Sequence, residues 1–130
     1  MINGLFDQAI DRLARGLEYT SRRHEVLTRN IANLETPGYR AIDVTFDDYL
    51  KPARAAIADA TPISLGPAAP GAPVARVVYA ADGPARDDGN DVNLDRQMAR
   101  VAENTLLNHT LVQLLAGRFS AVKQAISGRV

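Results

Sequence analysis

The chain has 130 residues, enough for one small domain or one elongated module, and its 15 Lys and Arg residues balance its 15 Asp and Glu residues. A chain without net charge has no general attraction for polyanions, so we expect no nucleic-acid partner. The chain contains no cysteine, which excludes disulfides and thiolate chemistry, and its two histidines, His24 and His109, leave little material for imidazole catalysis or metal binding.

The first 35 residues predict one long helix. Apolar positions follow one another in alternating steps of four and three residues, a spacing typical of a coiled-coil seam. The predicted seam comprises Phe6, Ile10, Leu13, Leu17, Thr20, His24, Leu27, Ile31 and Leu34. On the other faces arginines alternate with acidic residues, which indicates a surface that is solvated or forms salt bridges between subunits and argues against direct lipid binding.

A turn follows this helix. Residues 36–39 read Thr-Pro-Gly-Tyr, with proline in the second and glycine in the third place. This order predicts a type II turn, because proline presets one backbone angle and glycine accepts a positive φ. Asn30 and Asn33 lie in the last helical turn, where their amides can bond the unpaired carbonyls of the helix end.

Residues 36–92 form an acidic segment rich in proline and glycine, which interrupt every candidate helix between Pro52 and Arg86. A weak apolar alternation between Val74 and Tyr79 is compatible with a short β-hairpin. The oxygen-rich run from Asp87 to Asp95 lacks the spacing of a calcium loop. It predicts a solvated turn that caps the following helix, and we expect no metal and no cofactor.

Residues 93–130 predict a second long helix, with Asn93 as its N-cap and Gly128 at its end. Its seam repeats the same spacing through Leu94, Met98, Val101, Thr105, Asn108, Val112, Leu115, Phe119, Val122 and Ile126. Leu107, Leu111 and Leu114 form a second apolar stripe, which one partner helix cannot cover. Either the insert folds over this stripe or neighbouring chains cover it, as in a polymer, and we favour the polymer.

The two seams predict a mainly α fold in which the N- and C-terminal helices form an antiparallel, coiled-coil-like hairpin. In this hairpin, polar residues near the middle of the two seams would lie at the same height along the helix axes. These residues are Thr20 and His24 in the first seam and Thr105 and Asn108 in the second. A parallel pairing would align them as well, but a hairpin is the simpler path. We therefore divide the chain into an N-terminal helix (1–35), a turn and Pro/Gly-rich insert (36–92) and a C-terminal helix (93–130).

The stretch from Asn30 to Ala41 resembles the signature Ala-Asn-x-x-Thr-Pro-Gly-Tyr of the flagellar basal-body rod proteins. The matching residues are Ala32, Asn33, Thr36, Pro37, Gly38 and Tyr39. The run from Asp88 to Asp95 and the first turns after it are similar to the start of the C-terminal helix in proximal-rod members of that family. Leu111 to Lys123 match the later part of the same helix, so both ends of the chain agree in order.

This resemblance implies a structural subunit of the proximal rod in the bacterial flagellar basal body, whose terminal helices assemble into the shaft that transmits torque from the MS ring. The implied partners are other rod subunits, the MS ring with its adaptor FliE, and the flagellar type III export apparatus. The implied location is the basal body, spanning the periplasm after export without signal cleavage. Phe46 and Leu50 fit the Phe-x-x-x-hydrophobic pattern that such subunits use at the export gate; alternatively, they pack against the helices.

We expect assembly to depend on the signature turn and on apolar residues of both helices. The latter are Leu13, Leu17, Leu27, Ile31, Leu107, Leu111, Leu114, Val112, Leu115, Phe119 and Val122. The sequence has no nucleophile elbow and no phosphate-binding glycine loop, so we do not expect an enzyme. The alternative function is that of a soluble cytoplasmic helical adaptor or regulator that binds a partner helix.

Overall fold

The computed structural model describes residues 2–45 and 76–128, and in the first helix it describes side chains from residue 9 onward. Helix α1 spans Ile2–Ala32, strand β1 Ile42–Val44, strand β2 Val77–Tyr79 and helix α2 Leu94–Ser127. The fold is therefore mainly helical, as predicted, with two long terminal helices of 31 and 34 residues. Within the described ranges, neither helix has the continuous apolar length needed to cross a membrane.

Helices α1 and α2 pack against each other in opposite directions. Near the end of α1, the Asn30 amide donates to Oε1 of Gln97 in the first turn of α2, at 3.1 Å. Toward the beginning of α1, Gly16 faces the side chain of Leu111, further along α2. Earlier residues of α1 thus contact later residues of α2, so the two helices are antiparallel. The seam spacing alone was compatible with a parallel or an antiparallel pair.

A polar layer joins the helices near their middle. The amide of Asn104 donates to the backbone oxygen of Thr20, and the amide of Asn108 donates to its hydroxyl, both at 2.8 Å. The prediction that the polar layers of the two helices lie level is confirmed for Thr20 and Asn108. The interpretation of His24 and Thr105 as members of this layer is wrong, because both are exposed.

The inner face of α2 is rotated relative to the predicted seam. Four seam positions are half-buried as expected: Val101, Asn108, Leu115 and Val122. The alternating positions on the inner face are Gln97, Asn104 and Leu111, whereas the predicted Met98, Thr105, Val112 and Phe119 are exposed. Gln97 and Asn104 face polar groups of α1, and pairing those groups inside the interface decides the rotation.

Helix α1 uses two adjacent faces. Toward α2 it presents Leu27, which is fully buried, and the half-buried Leu13, Leu17 and Ile31. Toward the sheet it presents residues outside the predicted seam, and the resulting core cluster comprises Tyr19, Val26, Ile42, Val44 and Val77. On the outer face, Arg15 lies 2.9 Å from Asp11 of the same helix, so this ion pair is formed within one chain.

The two strands form an antiparallel pair in which Ile42 lies opposite Tyr79 and Val44 opposite Val77. The backbone bond from Ala80 to Ala41 (2.9 Å) extends the pairing beyond the strands. The insert thus contains a small antiparallel pair of strands, but the pair is not a short hairpin around Val74 to Tyr79, because only β2 lies there. Its partner β1, which directly follows the signature turn, is not evident from the sequence pattern.

Gly16 and Gly117 provide a matched test of the helix interface. A Cβ added at Gly16 would lie 3.0 Å from Cδ1 of Leu111, whereas a Cβ at Gly117 would meet nothing within 4 Å. Gly117→Ala should therefore gain up to about 1 kcal/mol of unfolding free energy from helix propensity. Gly16→Ala should gain less, and Gly16→Val should lose about 1–3 kcal/mol by overpacking. Urea unfolding followed by circular dichroism measures these changes, and equal gains from both alanine variants would contradict the close approach at Gly16.

Candidate functional site

The signature turn has the predicted geometry. The amide of Tyr39 donates to the oxygen of Thr36 at 3.2 Å, which closes a four-residue turn. Gly38 has a φ of 70°, in the region that the third residue of a type II turn requires. Thr36 and Pro37 are exposed at this end of the hairpin, whereas Tyr39 is half-buried.

The two asparagines at the end of α1 have different roles. Asn33 acts as predicted, since its amide donates to the Arg29 oxygen at 2.8 Å and its side-chain oxygen accepts from the Thr36 hydroxyl at 3.1 Å. Asn30 does not bond a terminal helix carbonyl through its amide. Instead, it is fully buried and binds across the fold.

Asn30 connects α1 to the signature turn, to β1 and to α2. Its amide donates to the Ile42 oxygen (2.7 Å) and to Gln97, and its oxygen accepts from the Ile42 amide and the Tyr39 hydroxyl, both at 3.2 Å. Every polar atom of the side chain is therefore paired in the interior. Removing Asn30 would leave buried donors and acceptors without partners.

The segment before α2 combines a helix cap with contacts to the turn. Asn93 is the N-cap as predicted, accepting from the Arg96 amide at 3.1 Å. The interpretation of the oxygen-rich run as a solvated turn is wrong for Asn90 and Asp91, which are buried and bind backbone groups of residues 33–41. Among the described residues, no cluster of three or more His, Asp or Glu side chains is arranged to hold a metal.

A buried carboxylate, Asp82, anchors the start of α2 and was not predicted. Its Oδ2 accepts from the Gln97 amide and from the Asn93 backbone N–H. Its Oδ1 lies 3.0 Å from Nη1 of Arg100, an ion pair without hydrogen-bond alignment. The Asp82 side chain has no solvent exposure, so these contacts replace its hydration.

A second ion pair joins α1 to β1. Arg23 donates to both carboxylate oxygens of Asp43, from Nε at 2.9 Å and from Nη2 at 3.0 Å. Both side chains are about 15% exposed, and the bond to Asp43 raises the pKa of the Arg23 guanidinium above its ordinary value. Glu103 of α2 lies 3.9 Å from the same guanidinium, so the pair also borders the helix interface.

Two apolar flanks of α2 remain exposed on either side of the strip that contacts α1. A helix advances by about 100° per residue, so residues one position after Asn104 and Leu111 lie on one side, and residues three positions after them lie on the other. The Phe119 flank comprises Met98, Thr105, Val112 and Phe119, and the Leu114 flank comprises Leu107, Leu114 and Ala121. Phe119 is 56% exposed and Leu114 54%.

The flanks revise two predictions for α2. Val112 and Phe119 are not part of the contact with α1, because the helix is rotated toward its polar partners. Leu111 does not belong to an outward stripe, since it contacts α1 at Gly16, whereas Leu107 and Leu114 do face outward. The candidate export motif, Phe46 with Leu50, lies outside the described residues.

Two tyrosines make the fold sensitive to alkaline pH. Burial raises the pKa of Tyr19 and of Tyr39 above the ordinary value of 10.0. The folded state therefore retains these protons to higher pH than the unfolded state, and their contribution to stability is complete below pH 10 and is lost as the pH rises beyond it. Tyr19→Phe should therefore reduce the loss of stability above pH 10. Absorbance titration of tyrosinate checks the assignment, and a Tyr19 that ionises at or below pH 10 would contradict it.

The sequence of the chain is similar to those of flagellar basal body rod proteins FlgB from several bacteria. A flagellar basal body rod protein FlgB of Cereibacter sphaeroides is 36% identical over 117 residues, which cover 88% of this chain and 91% of the relative. The FlgB of Escherichia coli (strain K12) is 30% identical over 129 residues (92% and 94%), and that of Bacillus subtilis (strain 168) is 28% identical over 128 residues (95% and 97%). No protein-family model matches the chain. The similarity to these proteins extends over nearly the whole length, and the chain belongs to the family of flagellar basal body rod proteins FlgB.

Proposed function

We propose that the chain is a structural, non-enzymatic subunit of the proximal rod in the flagellar basal body and that it assembles through its terminal helices. The observation that carries this proposal is the pair of exposed apolar flanks on α2. An elongated hairpin with uncovered apolar sides is suited to packing beside similar hairpins. A shaft that transmits torque requires stiffness from such packing and no reactive site.

The surroundings of the flanks support burial in an assembly. Between Asn104 and Gly117, His109 is the only residue that can carry a charge. A solvent-facing helix normally carries charged residues on its outer face, as α1 does with Asp11 and Arg22. Full burial of an exposed large apolar side chain contributes about 1.5–3 kcal/mol, so covering the exposed half of Phe119 or Leu114 would contribute about half of that.

The position of the flanks also bears on the kind of assembly. The Phe119 flank and the Leu114 flank are different surfaces on opposite sides of one helix. When one surface of a subunit binds a different surface of the next, the contact is heterologous and can propagate into an open helical array. We propose that each flank contacts a different neighbouring rod subunit, in agreement with the polymer interpretation.

The family assignment supports the remaining partners. We propose the MS ring and its adaptor FliE on one side, further rod subunits on the other, and a final location that spans the periplasm. The exposed residues Thr36 and Pro37 would face a neighbouring subunit at the end of the hairpin. Phe46 and Leu50 would act at the gate of the type III export apparatus, and Phe46→Ala should then reduce export.

The experiment that tests this function uses a chain tagged internally, within the proline-rich insert, so that both helices stay intact. The tagged chain should be recovered with purified basal bodies and should disappear from them when the export apparatus is inactivated. A motile strain carrying the tagged chain as its only copy provides the control. Recovery of the tag solely in the cytoplasm would favour the adaptor function instead.

A further inference from the structure

The signature turn is enclosed by a second segment of the same chain, residues 86–91. The Gly38 amide donates to the Asp88 oxygen at 2.8 Å, and the Asp91 amide donates to the Tyr39 oxygen at 3.3 Å. The carboxylate of Asp91 accepts from the backbone N–H of Ala41. The turn thus meets partners about fifty positions later in the chain, outside any helix or strand pairing.

Asn90 lies at the centre of this contact and is fully buried. Its amide nitrogen lies 3.0 Å from the Asn33 oxygen, 3.0 Å from the Leu34 oxygen and 2.8 Å from the Thr36 oxygen. These three residues directly follow α1, so one side-chain amide contacts the backbone of the whole segment between the helix and the turn. The Asn33 and Thr36 oxygens also accept from the backbone amides of Thr36 and Tyr39.

The side-chain oxygen of Asn90 accepts from the Val92 amide at 2.8 Å, so both ends of the side chain are engaged. An aspartate in this place would retain the acceptor and lose the donor. It would place a carboxylate oxygen against the three backbone carbonyls, and like partial charges would repel one another there.

The two segments approach closely at glycines. A Cβ on Gly89 would lie 3.4 Å from the α-carbon of Gly38, and the two residues have φ values of 79° and 70°. Gly38 favours glycine because of the positive φ of the turn, since a Cβ there would meet nothing within 4 Å. At Gly89 the positive φ and the approach to the backbone of Gly38 both favour glycine.

We propose that residues 86–91 form an intrachain clasp on the signature turn and that Asn90 is the positioning residue of this clasp. The signature turn then acts as the binding surface for residues 86–91 of its own chain. The clasp fixes the direction in which the chain leaves α1 toward β1, and with it the presentation of the exposed Thr36 and Pro37. This last consequence rests on the proposed rod function, whereas the clasp itself does not.

The test compares Asn90→Asp with Asn93→Asp in the purified full chain. Both variants replace an asparagine with an aspartate, and the two positions are only three residues apart. Aspartate at position 93 remains a good helix N-cap. In Asn90→Asp, amide hydrogen exchange within residues 33–41 should accelerate by about tenfold or more. In the parent, this region can open only when the contacts of the Asn90 side-chain amide break, and the variant lacks those contacts. In Asn93→Asp, and at Val26 and Leu27 in both variants, exchange should match the parent.

Three results would overturn the clasp. The first is unchanged exchange in residues 33–41 of Asn90→Asp, and the second is equal acceleration in Asn93→Asp. The third is acceleration throughout α1, because it would make Asn90 a general stability residue. If circular dichroism shows that Asn90→Asp has lost its helices, the smaller change Asn90→Ser should give the local effect, and global unfolding of Asn90→Ser as well would also contradict the proposal.

Motility separates this proposal from the rod function. Both variants are placed as the only copy of the gene in a flagellated host, with matched expression. Reduced motility in Asn90→Asp alone is the expected result. Faster local exchange with normal motility would overturn the positioning role in assembly. Intact rods in a strain without the gene would refute the rod function and leave the exchange test of the clasp valid.

Discussion

Phe119→Asp is expected to abolish motility while the unfolding free energy of the isolated chain stays within about 0.5 kcal/mol of the parent. Phe119 is 56% exposed, so the folded monomer loses little packing when a charge replaces the ring. In an assembly that buries this flank, the same charge would be desolvated without a partner, at a cost of several kcal/mol. Motility in soft agar and urea unfolding of the purified chain measure the two effects separately.

Two further variants sharpen this test. Leu114→Asp introduces the same charge on the other flank, and it should also abolish motility with little loss of monomer stability, since Leu114 is 54% exposed. Gln124→Asp is the control, because Gln124 is exposed, points away from α1 and follows Lys123, outside the uncharged stretch between Asn104 and Gly117. Full motility in both flank variants would refute the assembly role of these surfaces, and loss of motility in the control would show that any new charge on α2 is disruptive.

Asp82→Ala is expected to lower the unfolding free energy by about 3 kcal/mol. The change removes the acceptor for the Gln97 amide and the Asn93 backbone N–H, and it leaves Arg100 without its counterion. We place the cost at the lower end of the range for broken buried ion pairs because the Arg100 side chain is 25% exposed and can be hydrated.

Asp95→Ala provides the control for Asp82→Ala. It removes an exposed carboxylate from the first turn of α2, where the favourable interaction with the helix dipole amounts to about 0.3–1 kcal/mol. In the double variant Asp82→Ala with Arg100→Met, part of the lost stability should return, since the unpaired cation is removed. A cost for Asp82→Ala no larger than that of Asp95→Ala would contradict the role of Asp82 as the anchor of α2.

The features that sequence reasoning predicted correctly are those encoded by neighbouring residues. Seam spacing predicts the two long helices, and side-chain chemistry predicts the Asn93 cap. The order of Pro37 and Gly38 predicts the turn, and the structure has each of these features. In all these cases a short stretch of chain determines its own conformation.

The rotation of α2 could not be predicted from apolar spacing. Its apolar arc is wider than one partner helix can cover, so two seams one residue apart were both compatible with the pattern. Which of the two faces contacts α1 depends on Gln97 and Asn104, which are buried. Apolar spacing alone predicts that these polar residues lie on the surface. Their partners, Asn30 and Thr20, lie in the other helix, and no spacing rule connects residues so distant in the chain.

The buried polar centres of the candidate site were missed for the same reason. Asn30, Asp82 and Asn90 belong to residue types that are usually exposed, and each is fully or almost fully buried here. Their partners come from segments that only the fold brings together. The signature motif indicated Asn33 and Gly38, but it contained no sign of the segment that encloses them.

Electron microscopy of basal bodies shows directly whether this chain builds the rod. The comparison is between a strain that lacks the gene and the same strain complemented with the intact gene. We expect the deletion to leave a membrane ring without rod, hook or filament and complementation to restore all three. Intact rods in the deletion strain would contradict a rod-building role, and the exposed flanks of α2 would then require a different partner.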